Sequence, residues 1–227
     1  MIIAMDGTVA SGKGTLARRI ARIYGLQHLD TGLLYRATGM AALRAGTDFT
    51  DTEALAEHAR TLSLNAFGED ELRSAEAGQA ASKVAVIPAV REALLLYQRD
   101  FAAKPSGAIL DGRDIGTVVC PQADVKFWVD ARIEVRAERR WKELAGRGAT
   151  LSLEEVLEDL KARDARDRNR ETAPMVAAED AHLLDTTHLG IDAAVDRACA
   201  IIEGVRREKK RRFWSQQGSK SKTGQPR

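Results

Sequence analysis

The chain has 227 residues, 44% of them hydrophobic and 30% charged, the balance of a soluble globular protein with one sizeable core or two small ones. Aromatic residues make up only 5%, which argues against stacking platforms for single-stranded nucleic acid. No apolar run approaches the roughly 20 residues of a membrane span, and Met1 leads straight into IIAM without the basic start of an export signal.

A net charge of +2 hides an asymmetry: from Val205 to Arg227, nine Lys or Arg and one Glu give +8, leaving −6 for the preceding 204 residues. The two cysteines, Cys120 and Cys199, have no CxxC or zinc spacing, so they read as reduced structural residues of a cytosolic, cytoplasmic protein. His28, His58, His182 and His188 form no metal-ligand pattern.

In chain order, IIAM at 2–5 is a short apolar run ending at Asp6 and Gly7, as in a buried parallel strand. Leu16, Ile20, Ile23 and Tyr24 then recur at helical spacing, and Gly25 is a natural helix stop. LQHL at 26–29 reads as a strand, and 31–45 as a helix that stops at Gly46. Helices follow at 50–62, 74–85 and 88–103, the last opened by Pro88. AIL at 108–110 and VKFWV at 125–129 are strands. Charged helices at 132–144 and 153–170 flank the link AGRGAT, HLLD at 182–185 is a fifth strand, and a last helix runs over 191–212. Five strands interleaved with helices predict an α/β fold with a parallel sheet covered on both faces. Residues 1–204 are expected to form one domain, and the tail 205–227 a basic, disordered extension that ends in SQQGSKSKTGQPR. Contact between this tail and nucleic acid is the lesser expectation.

The chemistry starts with GTVASGKGT at 7–15, between a strand and a helix. Such a loop turns backbone N–H groups around phosphate oxygens, and the helix N-terminus and Lys13 add positive charge. The spacing is GxxxxGK, but Gly14 follows the lysine and the hydroxyl comes one later, at Thr15. Thr15 is the candidate magnesium ligand. Gly7, Thr8, Val9, Ala10, Ser11, Gly12, Lys13, Gly14 and Thr15 are the candidate ATP-binding segment.

GKGT resembles the nucleoside monophosphate kinases among P-loop kinases. Together with Asp6-Gly7, DTGLLYR at 30–36, ASKVAVIPAVREALL at 81–95, DGRDIGTVV at 111–119 and RDARDRNR at 163–170, it resembles the bacterial cytidylate kinases. The matches run in order from Ile2 to about Asp185. The resemblance implies a five-stranded P-loop kinase with an acceptor-binding region at about 31–104 and a short lid at about 132–170. It also implies transfer of the ATP γ-phosphate to CMP or dCMP with Mg2+, by a protein expected to be a monomer.

Arginines are the expected tools at an acceptor phosphate, because a planar fork grips phosphate bidentately. By resemblance, Thr31, Arg36, Arg113 and Arg170 contact that phosphate. Asp114, with Ser82 and Arg91, reads the base: a carboxylate accepts from the cytosine amine, whereas uracil offers a carbonyl. Arg163 and Asp167 hold the ribose. Lys13, Arg113 and Arg170 are the expected catalytic residues. Arg136, Arg139 and Arg140 are candidates for neutralising ATP phosphates, Arg139 first among them. Asp111 either binds magnesium through water or holds a backbone turn.

One part of this reading rests on periodicity. Leu153, Val156, Leu157 and Leu160 form an apolar helical stripe, and continuing it places Asp164 and Asp167 on the same inward face. SLNAFGEDELR is too short for the small three-stranded insert of many relatives, so the acceptor region is expected to be reduced and helical. Two rival readings remain: a kinase for UMP, AMP or another small acceptor, and a nucleotide-dependent nucleic-acid-binding protein.

Overall fold

The computed structural model describes residues 1–220. Its five strands are β1 (Ile2–Gly7), β2 (Gln27–Asp30), β3 (Ala108–Gly112), β4 (Val125–Asp130) and β5 (His182–Asp185). They form one parallel sheet in the order β2-β3-β1-β4-β5. The helices are α1 (Lys13–Tyr24), α2 (Thr31–Ala45), α3 (Thr52–Arg60), α4 (Glu69–Leu72), α5 (Ala75–Val84), α6 (Pro88–Ala102), α7 (Ile133–Ala145), α8 (Leu153–Arg168) and α9 (Ile191–Lys220).

Alternation along β1 explains the layers. Ile3 and Met5 point to the face covered by α1 and α9, where Leu16, Ile20, Phe127, Ala198 and Ile202 complete one core. Ala4 points to the opposite face, packed with Leu34, Leu55, Val90, Leu94 and Leu110 from α2, α3, α6 and β3. A smaller cluster joins Val9 of the phosphate loop to Ala137, Leu144, Val156 and Leu160 of α7 and α8. The carboxyl ends of β1, β2, β3 and β4 therefore converge beside that loop, the edge at which open α/β sheets bind ligands.

All five expected strands are present; the first four have longer carboxyl ends, and β5 keeps the bounds expected of it. The SLNAFGEDELR stretch holds a single 3-10 turn at Leu64–Ala66 and the short α4, with no strand. Close packing of α2 on α5 depends on Gly39, where a Cβ would lie 2.7 Å from Ala80 Cβ. Cys120 and Cys199 are both free thiols. Among the described residues, no helix is long and apolar enough to cross a membrane.

Three expectations need correction. Residues 205–220 are not irregular: α9 continues to Lys220, eight residues past Arg212. Val205–Arg212 is rich in Arg, Lys and Glu, good helix formers that outweigh the disfavoured like-charge contacts. The polar end of the tail, 221–227, lies outside the described residues. Helix α8 stops at Arg168, so Arg170 sits in the following loop. There the Asp167 carbonyl accepts from Met175 N at 2.8 Å, turning the chain before Pro174. Leu153 is 39% exposed at the first turn of α8 and takes no part in its buried stripe.

Candidate active site

The phosphate loop forms where the tight exit from β1 requires glycine. A Cβ on Gly7 would meet Val129 O at 1.9 Å, and the residue has φ +147. Ala10 and Gly12 also have positive φ, at 58 and 88. Thr8 O accepts from Ser11 Oγ at 3.0 Å and from Lys13 Nζ at 3.1 Å, so the lysine curls over its own loop. Thr8 Oγ1 donates to Asp130 Oδ1 at 2.6 Å. Val9 O accepts from Arg136 Nη1 at 3.2 Å, which ties the loop to α7. Burial, and then repulsion from Arg113, pull the Lys13 pKa down to about 7. Behind the loop, Asp6 accepts from Ile115 N and Gly116 N, both at 2.7 Å, and burial pushes its carboxyl up to about 7.

On the outer side of the loop, a cleft of about 330 Å³ is lined by Ser11, Gly12, Thr15, Leu16, Arg139 and the start of α9. Arg139 donates to Thr186 O at 2.7 Å and to Thr186 Oγ1 at 3.1 Å, while that hydroxyl donates to Ser11 O at 2.7 Å. Thr15 is exposed in the first turn of α1. Gly14 faces Asp111: a Cβ there would lie 3.7 Å from Oδ1. Asp111 Oδ2 is 2.6 Å from His28 Nε2, and Thr31 Oγ1 donates to Asp111 O at 2.8 Å. Burial, and then the neighbouring Asp111, raise the Asp30 pKa.

On the inner side, one pocket gathers Thr31, Ser82, Arg91, Arg113, Asp114, Arg163, Asp167 and Arg170. These are the expected acceptor residues apart from Arg36. The sequence reading missed Gly32, Tyr35, Ala81, Ala85 and Gly112, which also line the pocket. Tyr35 was recoverable, because it lies four residues after Thr31 and thus on the same helix face.

Three ion pairs around two buried carboxylates organise the pocket. Arg91 binds Asp114, with both side chains under a tenth exposed. Asp167 Oδ2 accepts from Arg113 Nε at 3.0 Å, and Asp167 Oδ1 lies 2.8 Å from Arg170 Nη2. Burial alone would raise the Asp167 pKa, but Arg113, Arg170 and Arg163 outweigh it and hold the carboxyl below its ordinary value. Ser82 Oγ and Arg163 Nε are buried without a hydrogen-bond partner. As the helical stripe predicts, Asp164 is buried beside Asp167, and its Oδ2 lies 2.8 Å from Arg136 Nη2.

Arg36 stands just outside this pocket, its Nη1 donating to Leu72 O at 2.6 Å. It belongs to a cationic group with Arg113, Arg140 and Arg163. Burial, and then Arg140, lower the Arg36 pKa to about 10; burial, and then Arg36 and Arg113, lower that of Arg163 to about 9. Arg140 therefore falls with the acceptor-side arginines. It also contacts Arg73 O and Ser74 O, both at 3.4 Å. Of the three lid arginines, only Arg139 lines the outer cleft.

The arrangement thus has an outer cleft, a phosphate loop with a buried lysine, and an inner pocket rich in paired arginines and carboxylates. A family model described as cytidylate kinase matches residues 3–204. A cytidylate kinase of Azorhizobium caulinodans is 57% identical over 206 residues, covering 91% of this chain and 100% of that protein. One from Methylocella silvestris is 56% identical, covering 90% and 95%. Among solved structures, an uncharacterized protein from Eubacterium ventriosum has a TM-score of 0.53 at 12% identity, covering 89% of this chain and 98% of its own, a likeness of fold alone. The model match across nearly the whole domain, joined to relatives more than half identical along their length, makes this chain a member of the cytidylate kinase family.

Proposed function

We propose that the protein transfers the γ-phosphoryl group of ATP to CMP or dCMP, giving ADP and CDP or dCDP. The observation that carries this reading is the inner pocket. A carboxylate for an amine (Asp114), an unpartnered hydroxyl (Ser82) and phosphate-gripping arginines line one cavity close to Lys13.

The outer cleft accommodates the ATP nucleoside, with its phosphates reaching the loop over Gly7–Thr15. Three features support that fit: the Cβ-forbidding turn at Gly7, the N-terminus of α1, and Arg139 at the rim. Lys13 exchanges its contact with Thr8 O for phosphate oxygens. Mg2+ fits as well, since it needs only one or two protein oxygens besides phosphates and water. The exposed Thr15 hydroxyl and the Asp111 carboxylate beside Gly14 would hold it, and when bound it neutralises phosphate charge.

On the acceptor side, Asp114 accepts from the cytosine amine while Arg91 holds its other side in place, and Ser82 Oγ meets another polar edge of the base. Arg163 and Asp167 face the ribose. Thr31, Arg36, Arg113 and Arg170 hold the acceptor phosphate so that one of its oxygens forms a bond to the γ-phosphorus as the bond to the β–γ bridging oxygen breaks. Positioning and positive charge supply most of the catalysis in such transfers. The inner pocket has about 50 Å³ of open volume, below the roughly 300 Å³ at which ligand pockets begin. Acceptor entry thus requires α5 and α6 to swing away from α8, and binding closes them again.

The test is ADP release measured against a panel of nucleoside monophosphates. CMP and dCMP should give kcat/KM at least tenfold above UMP and AMP. Equal turnover of UMP would remove Asp114 as base reader.

A further inference from the structure

The phosphotransfer site leaves the basic end of α9 without a role. The family model ends at residue 204, yet the helix runs on to Lys220. Arg206, Arg207, Lys209, Lys210, Arg211 and Arg212 fill six of seven successive positions, and all are exposed. The root of this extension is fixed. Lys209 Nζ lies 2.5 Å from Asp124 Oδ1, Arg206 Nη1 lies 2.8 Å from Glu203 Oε1, and the Arg206 guanidinium covers the Tyr24 ring at 5.8 Å. Asp124 in turn accepts from Ile2 N at 2.7 Å. The arm therefore leaves the domain at the amino ends of β1 and β4, opposite the edge that carries the phosphate loop and acceptor pocket.

We infer that this arm is a binding site for single-stranded nucleic acid, separate from catalysis. At 100° per residue the six cations surround the helix, so it presents no apolar stripe to lay on a bilayer. Nor does it offer the apolar centre of a typical protein interface. A densely charged phosphate backbone matches both features. In the sequence Phe213 and Trp214 follow the cations directly, a local pair of the residue type on which unpaired bases stack in a chain otherwise poor in aromatics. The preceding domain carries −6, which disfavours polyanion binding elsewhere and confines it to the arm.

The experiment uses the full chain and fluorescein-labelled 20-nucleotide RNA and DNA single strands, with duplexes of the same sequence and phosphatidylserine vesicles as competitors. Binding should reach the micromolar range at 50 mM salt and weaken by about 20-fold at 200 mM, the response expected when about three cations (Arg207, Lys210 and Arg211, which lie beyond the root contacts) displace counterions from a single strand. Relative affinity for RNA and DNA reads out the sugar preference. In the triple variant Arg207→Gln, Lys210→Gln, Arg211→Gln, glutamine keeps helix propensity and the root contacts remain. The slope of log affinity against log salt should fall by about 2, while circular dichroism and CMP turnover stay unchanged. Absence of binding at 50 mM salt or an unchanged slope in the variant would overturn the assignment. So would tighter capture by duplexes or by vesicles.

Discussion

Replacing Asp167 by alanine tests the centre of the acceptor pocket. Its carboxylate holds Arg113 through one oxygen and Arg170 through the other; the Asp167 and Arg170 side chains are buried and that of Arg113 is mostly so. A hydrogen bond to a charged group contributes about 1.5–3 kcal/mol. Breaking a buried pair from one side costs about 3–5 kcal/mol, because the remaining charge is left uncompensated. Sequence alone assigns Asp167 to the ribose and expects Asp167→Ala chiefly to narrow the difference between CMP and dCMP. The structure shifts that expectation: both substrates share a phosphate, and both lose the arginines that Asp167 positions. We expect kcat/KM to fall about 10²–10³-fold for each, the scale of losing a preorganised electrostatic contact, with their ratio changing less than tenfold. The urea midpoint should drop as well. Because arginines depress the folded pKa of Asp167, its stabilising contribution is present above the unfolded carboxyl pKa and is lost as pH falls through the lower folded value. The wild-type stability lead over the variant should therefore shrink in acid. A loss confined to CMP would refute the positioning argument and leave a ribose contact alone. Unchanged kinetics would refute both.

Other outcomes are equally specific. Lys13→Ala should lower kcat about 10²–10³-fold with the fold intact; near-normal turnover in the purified variant would remove the loop lysine from the mechanism. Asp114→Ala should erode the preference for CMP over UMP more than it alters ATP binding, and an unchanged ratio of kcat/KM would mean the base is read elsewhere. With its pKa lowered to about 7, Lys13 is mostly neutral at pH 8, and phosphates favour its charged form, so ATP binding should take up close to one proton there. Calorimetry in buffers of different ionisation enthalpy measures that uptake, and a value near zero would refute it. The same depression means that the stability contributed by Lys13 is greatest above the unfolded lysine pKa and is lost as pH falls through about 7.

The sheet was legible because parallel strands buried on both faces leave short apolar runs that end at Gly or Asp. Elements set by distant partners were not. The π-helical turn at Ile115–Val119 lies on the Asp6 carboxylate, which receives two of its N–H groups from more than a hundred residues away. Nothing local in IGTVV announces it. The pairing of His28 with Asp111 crosses from β2 to β3 and depends on the register Asp30↔Asp111, which periodicity does not specify. Helix α9 failed in the other direction, since composition describes the solvation of a segment better than its backbone.

The acceptor residues were legible as a set, but their electrostatics were not. Arg36, Arg113, Arg140 and Arg163 come from α2, the β3 exit, α7 and α8, and the cluster exists only after all four elements pack. Burial first, and then their mutual repulsion, lower the pKa values of Arg36 and Arg163. Asp167 offsets part of it, and Asp114 and Asp164 are engaged by Arg91 and Arg136. An acceptor phosphate and the γ-phosphate of ATP would supply the missing negative charge at the same point. The closure of α5 and α6 proposed above would then be favoured by the substrates themselves, because bringing Arg91 of α6 towards Arg170 and Arg113 costs less once anions lie between them. A single nucleotide relieves only part of the repulsion. The second therefore binds to a protein whose cations the first has already begun to gather.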